Sequence, residues 1–203
     1  MKLFCTLTSP YARKVRVVLA EKKIDCELVL ENPRNSEAVA HYNPLARVPV
    51  LVLDDDTSIF DSPVIVEYLD NVAPNSKLTP QPNRERIEVK CREALADGLL
   101  DAAVAIRMES QRPAKVRDNA AIERNHLVIG RSLLTMEQRL GENTWSMGTH
   151  FGLADIAIGC ALGYLDFRFS DIDWRAAQPN LTRLYDKLMQ RPSFIETVPP
   201  AGA

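Results

Sequence analysis

Apolar positions along the chain fall into two regimes. Up to about residue 70 they come in short runs, several of them β-branched, set between turn residues, so that 2–5, 25–30, 50–53 and 57–60 read as strands. Between the first two, Val15, Val18 and Leu19 recur at helical spacing. The spacing predicts a helix over 11–23 and a βαβ opening with a right-handed crossover. Arg13, Lys14, Arg16, Lys22 and Lys23 lie largely on its other faces and read as solvated. The stretch 32–41 is irregular or weakly helical. Asp54-Asp55-Asp56 is turn chemistry that makes 50–53 and 57–60 a hairpin. Ser62-Pro63 then sets a capping hydroxyl before a proline at the first helical position, and Val64, Ile65, Tyr68 and Leu69 continue as a helix.

Around 75–83 the composition shifts to Asn, Ser and Thr with Pro74, Pro80 and Pro82, which predicts a linker, and beyond it the pattern is wholly helical. Ile87, Cys91, Leu95, Ala102 and Ile106 form one stripe of a long helix from residue 84 to about 110. A second helix starts at Pro113 and ends at Gly141 with Ile129, Leu133, Met136 and Leu140 in register, so the two predict an antiparallel pair. The stretch 153–165 is apolar nearly all round and reads as the central buried helix. Its one charge, Asp155, is placed to reach back to the Gly152 N–H, with Phe151 and Ile156 as a hydrophobic staple. A last amphipathic helix, 179–190, stops before Pro192. The expected organisation is an α+β domain over 1–76, a linker over 77–83 and an all-helical bundle over 84–203.

Composition narrows the function. The 203 residues carry 46% hydrophobic and 26% charged side chains with a net charge of −2, which gives no reason to expect nucleic acid or a membrane as partner. No apolar run is long enough to span a bilayer and the first residues run straight into a strand, so a cytoplasmic location is the expectation. Cys5, Cys26, Cys91 and Cys160 show neither C-x-x-C nor metal spacing; the first two fall on neighbouring strands and the last two on helix core faces. His41, His126 and His150 are scattered, and no metal site is expected.

Three places carry candidate chemistry. Ser9, in the loop before the first helix, either caps that helix or donates a hydrogen bond to an anion held at its start, and for a thiolate this lowers the thiol pKa. Asp61-Ser62 is either an ordinary cap or a seat for a small carboxylate at a helix start. Pro49 stands at the mouth of a strand, where a cis bond would turn the Val48 N–H and C=O outward as a fragment of open sheet edge; X-Pro bonds in general favour trans.

Taken together, SPYARKVRVVLAEKKI, NPLARVPVL and DSPVIVEYL in the first half, and ADGLLDA and GLADIAIGCALGYLDFR in the second, resemble the cytosolic glutathione S-transferases over the whole chain. The resemblance implies a thioredoxin-like βαβ-ββα domain with a cis Pro49, then an all-helical domain, in a homodimer that binds glutathione and a small hydrophobic electrophile. It implies that Ser9 stabilises the glutathione thiolate and Val48 pairs with the cysteinyl backbone. Ser62 would hold the γ-glutamyl carboxylate and Asp61 its ammonium group, although the family usually has Glu at that place, one methylene longer. Arg47, Arg34 and Asn35 are candidates for the glycine carboxylate. Asp97 is either a helix-surface ion-pair partner or the aspartate that some classes extend across the dimer. Tyr11, Ile106, Arg107 and Phe167 are candidates for the electrophile wall. Cys5, inside the strand, is off the catalytic position. A regulatory module of the stringent-starvation type and a glutathione-dependent peroxidase or reductase are the alternatives.

Overall fold

The computed structural model of the chain describes residues 1–73, 75 and 77–202. Pro74 and Ser76, part of the stretch read as the end of the first domain and its linker, and Ala203 lie outside the described residues.

The chain forms two compact units. The first comprises Met1–Leu78 together with the C-terminal segment from Met189; the second is Thr79–Leu188. The expectation had carried the helical domain to the C-terminus, whereas the last segment packs with the first unit.

In the first unit, β1 (Lys2–Cys5), α1 (Pro10–Lys22), β2 (Glu27–Leu30), α2 (Glu37–Tyr42), β3 (Val50–Val52), β4 (Ser58–Phe60) and α3 (Ser62–Val72) follow in order. The sheet runs β2-β1-β3-β4, with β1 parallel to β2 and antiparallel to β3, and β3 antiparallel to β4. This is the thioredoxin-like arrangement. Side chains alternate across the pleat. Phe4, Val50 and Val52 cluster with Val39 of α2, while Leu3, Cys5 and Leu51, fully buried, point to the opposite face. The stretch read as irregular or weakly helical contains the short helix α2, capped by Ser36, whose hydroxyl accepts the Val39 N–H at 3.1 Å. Strand β2 begins at Glu27 rather than residue 25, so Cys26 lies just outside it.

The solvated reading of the α1 cations is overturned for three of them: Arg13, Lys14 and Lys22 are buried. Partners remote in sequence account for two. Arg13 donates to the Phe194 carbonyl at 3.2 Å, and Lys22 meets Asp70 at 2.9 Å. The C-terminal segment carries a short helix after Arg191 (Pro192–Ile195). Arg191 donates to both Glu21 oxygens, at 2.8 and 2.7 Å, and thereby ties the segment to α1.

The helical unit contains α4 (Asn83–Ser110), a 3-10 turn (Ala114–Val116), α5 (Asn119–Leu140), α6 (Leu153–Arg168), α7 (Trp174–Ala177) and α8 (Pro179–Leu188). Every residue from Leu153 to Leu165 is buried, as the all-apolar pattern requires. Asp155 closes the α6 N-terminus: it accepts the Gly152 N–H at 2.9 Å and also the Ser146 N–H at 2.6 Å. The stripe expected on α4 holds at its C-terminal end, where Ala102 and Ile106 are buried, and fails at its start: Ile87 and Cys91 are exposed and Leu95 is half-buried. The buried face is Val89, Glu93, Ala96, Leu99, Leu100, Ala102, Ala103 and Ile106. A strict four-residue spacing drifts around a 3.6-residue helix. Helices α5 and α6 each pack against α4, whose buried face includes the small residues Ala96, Ala102 and Ala103.

Candidate functional site

The register Phe4↔Val50↔Phe60 positions the site. β1 ends, β3 begins and β4 ends at the same edge of the sheet, so the loop carrying Ser9, the approach to Val50 and the Asp61-Ser62 corner emerge together. The loop after β2, which holds Arg34 and Asn35, leaves from that same end because β2 is parallel to β1.

Ser9 is the N-cap of α1. Its Oγ accepts the Ala12 N–H at 3.2 Å and its carbonyl accepts the Arg13 N–H at 2.9 Å. Pro10 follows at the first helical position, and no acidic residue stands in the first turn to offset the helix dipole. Capping uses the oxygen as acceptor and leaves the O–H hydrogen to donate. Cap and anion donor are therefore compatible roles for one hydroxyl. Cys5, four residues earlier, is fully buried, and desolvation pushes its thiol up, away from the reactive thiolate.

The Val48-Pro49 bond is cis. Val48 is half-buried, and among the described residues neither its N–H nor its C=O makes a backbone hydrogen bond. The turn before it is held by a residue that sequence reasoning missed. Asn43, buried, donates from Nδ2 to the Arg47 carbonyl at 2.9 Å and accepts the Leu45 N–H at 3.0 Å. Its signal was only that asparagine bonds locally to nearby backbone in turns. Arg47 itself is exposed.

Asp61 has φ 69° and ψ 128°, a conformation that costs a non-glycine residue about 1–3 kcal/mol. It withholds its side chain from capping, and its carbonyl accepts the Val64 and Ile65 N–H groups instead. Ser62 follows, 1% exposed, with its Oγ unpartnered among the described residues. A buried hydroxyl left unsatisfied costs about 1–3 kcal/mol, so an anion at this helix start would supply the missing bond. α3 also has no acidic residue in its first turn.

Arg34 and Asn35 are exposed on a turn closed by Asn32, which accepts the Arg34 N–H on its side chain and the Asn35 N–H on its carbonyl. Asp97 lies half-buried on α4, in the helical unit. Among the described residues no cluster of His, Cys, Asp or Glu can hold a metal ion, and no helix is long and apolar enough to cross a membrane.

Residues 8–72 match the glutathione S-transferase N-terminal domain family and residues 119–187 the C-terminal domain family. The chain belongs to the glutathione S-transferase family. It is 41% identical to the uncharacterized GST-like protein YibF of Escherichia coli K12, over 98% of this chain and 99% of that protein. The solved glutathione S-transferase of Methylobacillus flagellatus KT, with glutathione bound, is 49% identical and superposes with a TM-score of 0.95, covering 98% of this chain and 99% of that one. A glutathione transferase family member from Pseudomonas fluorescens Pf-5, with bound S-(propanoic acid)-glutathione, is 35% identical with a TM-score of 0.88, covering 99% and 100%.

Proposed function

We propose that this protein is a glutathione transferase that joins the glutathione thiolate to a small electrophile. The observation that carries the reading is the Ser62 hydroxyl, buried and unpartnered among the described residues, at the start of a helix under a strained Asp61. In this reading Ser62 and the first α3 N–H groups take the γ-glutamyl carboxylate, and Asp61 takes its ammonium group. Val48 pairs through its backbone with the cysteinyl unit. Arg47, Arg34 and Asn35 are the donors available to the glycine carboxylate, and Asp97 is a further carboxylate toward the ammonium group across a homodimer.

Ser9 donates its O–H to the sulfur. The donor and the α1 dipole both favour the charged form, so the thiol ionises more readily than in water. The thiolate then attacks the electrophile, and positioning supplies most of the remaining acceleration. Conjugation is favoured over a cysteine-dependent reductase because the Cys5 thiol is buried and held neutral, and because a relative binds a glutathione S-conjugate. Calorimetric titration with glutathione tests the reading: saturable binding is expected, and its absence would overturn it.

A further inference from the structure

The C-terminal segment meets α1 at both ends of that helix, by different chemistry. In the last turn the contact is an ion pair: Arg191 faces Glu21, which also accepts the Ser193 hydroxyl. In the first turn it is Arg13. Its guanidinium donates to the Phe194 carbonyl at 3.2 Å and to the Thr197 hydroxyl oxygen at 3.4 Å, and its carbon lies 5.7 Å from the centre of the Phe194 ring. Thr197 gives its own hydrogen to the Ser193 carbonyl at 2.7 Å, which leaves its oxygen to accept. A carbonyl, a hydroxyl and a ring are all neutral. Among the described residues Arg13 meets no carboxylate.

Arg13 is 2% exposed. Burying a charge without a counter-ion is costly, and a cation in the first turn of a helix opposes the macrodipole. Anchoring the segment accounts for neither, since an ion pair does that at the other end of the same helix. The position of Arg13 accounts for both. Its N–H donates to the Ser9 carbonyl at 2.9 Å, which places it one turn after the N-cap, and helical side chains lean back over the preceding turn. The charge therefore adds to the positive end of the α1 dipole, where Ser9 has an O–H to give.

The other charged groups around α1 leave that balance as it is. Glu21 is held by Arg191, and Asp70 of α3 by Lys22. Lys14 is a second buried cation of the same turn, and Arg16 donates to the Glu196 and Thr197 carbonyls at 3.4 Å.

We infer that Arg13 is a charge held at the start of α1 to favour the thiolate form of bound glutathione, and that the C-terminal segment keeps it buried there. The inference rests on the transferase reading and deepens it. The thiol proton leaves to water, and the charge left on sulfur is stabilised by the Ser9 hydrogen bond, the α1 dipole and the Arg13 field together.

The test is an ultraviolet titration of bound glutathione in the wild type, Arg13→Gln, Arg13→Lys and Arg191→Gln, with a urea midpoint for each. All three variants should lose stability, because each loosens the C-terminal segment. Only Arg13→Gln should move the thiol, upward by about half a pH unit or more. Arg13→Lys keeps the charge and loses the planar fork, so it should titrate with the wild type. Should Arg13→Gln fail to fold, Arg13→Met, long and uncharged, decides in its place. Coincident titrations of the neutral variant and the wild type would make Arg13 an anchor only and leave the transferase reading standing. An equal shift in Arg13→Lys or Arg191→Gln would also overturn the inference, because loosened packing and not lost charge would be the cause. Absence of glutathione binding by the wild type would overturn the transferase reading, and this inference with it.

Discussion

Asn43 donates its side-chain amide to the Arg47 carbonyl at 2.9 Å, from a position 2% exposed to solvent. The same side chain accepts the Leu45 N–H, so one residue fixes both ends of the turn that delivers Val48. Asn43→Asp keeps the acceptor but sets an oxygen against the Arg47 carbonyl. It should cost about 1–3 kcal/mol of stability and weaken glutathione binding in the protein that folds. Urea unfolding and calorimetry measure the two effects; unchanged values for both would show that the turn holds itself.

Ser62→Ala should behave in the opposite way. The hydroxyl it removes is buried without a partner among the described residues, so the free protein should hold its unfolding midpoint or gain slightly. Glutathione affinity should fall about tenfold or more, because a bond to a charged carboxylate is lost. A stability loss with unchanged affinity would make Ser62 a structural cap.

Local chemistry was legible where local chemistry decides. The nearly all-apolar run of α6, a helix start at Ser62 and the reach of Asp155 to Gly152 all involve neighbours within one or two turns. The capping hydroxyl expected at Ser62 is not one of these: Asp61 is the N-cap, Ser62 is the first helical residue, and its Oγ makes no cap bond among the described residues. The burial of Arg13 and Lys22 was not legible, because their partners Phe194 and Asp70 are far along the chain and no periodicity links them. The first half of the α4 stripe, Ile87 and Cys91, failed for a related reason: α5 and α6, which pack on α4, choose which face is buried, whereas Ala102 and Ile106 are buried as expected. At the site, residue types marked Ser9 and Asp61-Ser62. The unpartnered Ser62 hydroxyl and the Asn43 clamp needed tertiary structure to be seen.

Asp155→Ala should destabilise the protein strongly. It orphans the Gly152 and Ser146 N–H groups together, each at a cost of about 1–3 kcal/mol. The folded fraction should bind glutathione as the wild type does. An unmoved urea midpoint would contradict the capping role.

Glu21 gives a pH dependence. Burial pushes its carboxyl up, but the hydrogen bonds from Arg191 and Ser193 and the Arg191 charge outweigh this and hold it below its ordinary value. A depressed carboxylate contributes stability that is present above its unfolded pKa, about 4.3, and is lost as pH falls through the folded value. The wild type should therefore exceed Glu21→Gln in stability at about pH 7, and the gap should close toward about pH 3. Urea midpoints of both proteins across that range check this; a gap independent of pH would contradict it.

The role of Ser9 is the central claim, and the ultraviolet absorbance of the enzyme-bound glutathione thiolate, titrated against pH in the wild type and Ser9→Ala, tests it most directly. Loss of the cap bond to the Ala12 N–H should cost about 1 kcal/mol of stability whether or not Ser9 acts on the sulfur. A hydrogen bond to a charged group is worth about 1.5–3 kcal/mol, so the variant's thiol should titrate about one to two pH units higher. Binding at low pH, where the ligand is a neutral thiol, should be nearly unchanged. Coincident titration curves for the two proteins, alongside the expected loss of stability, would mean that Ser9 caps α1 and does nothing to the thiolate.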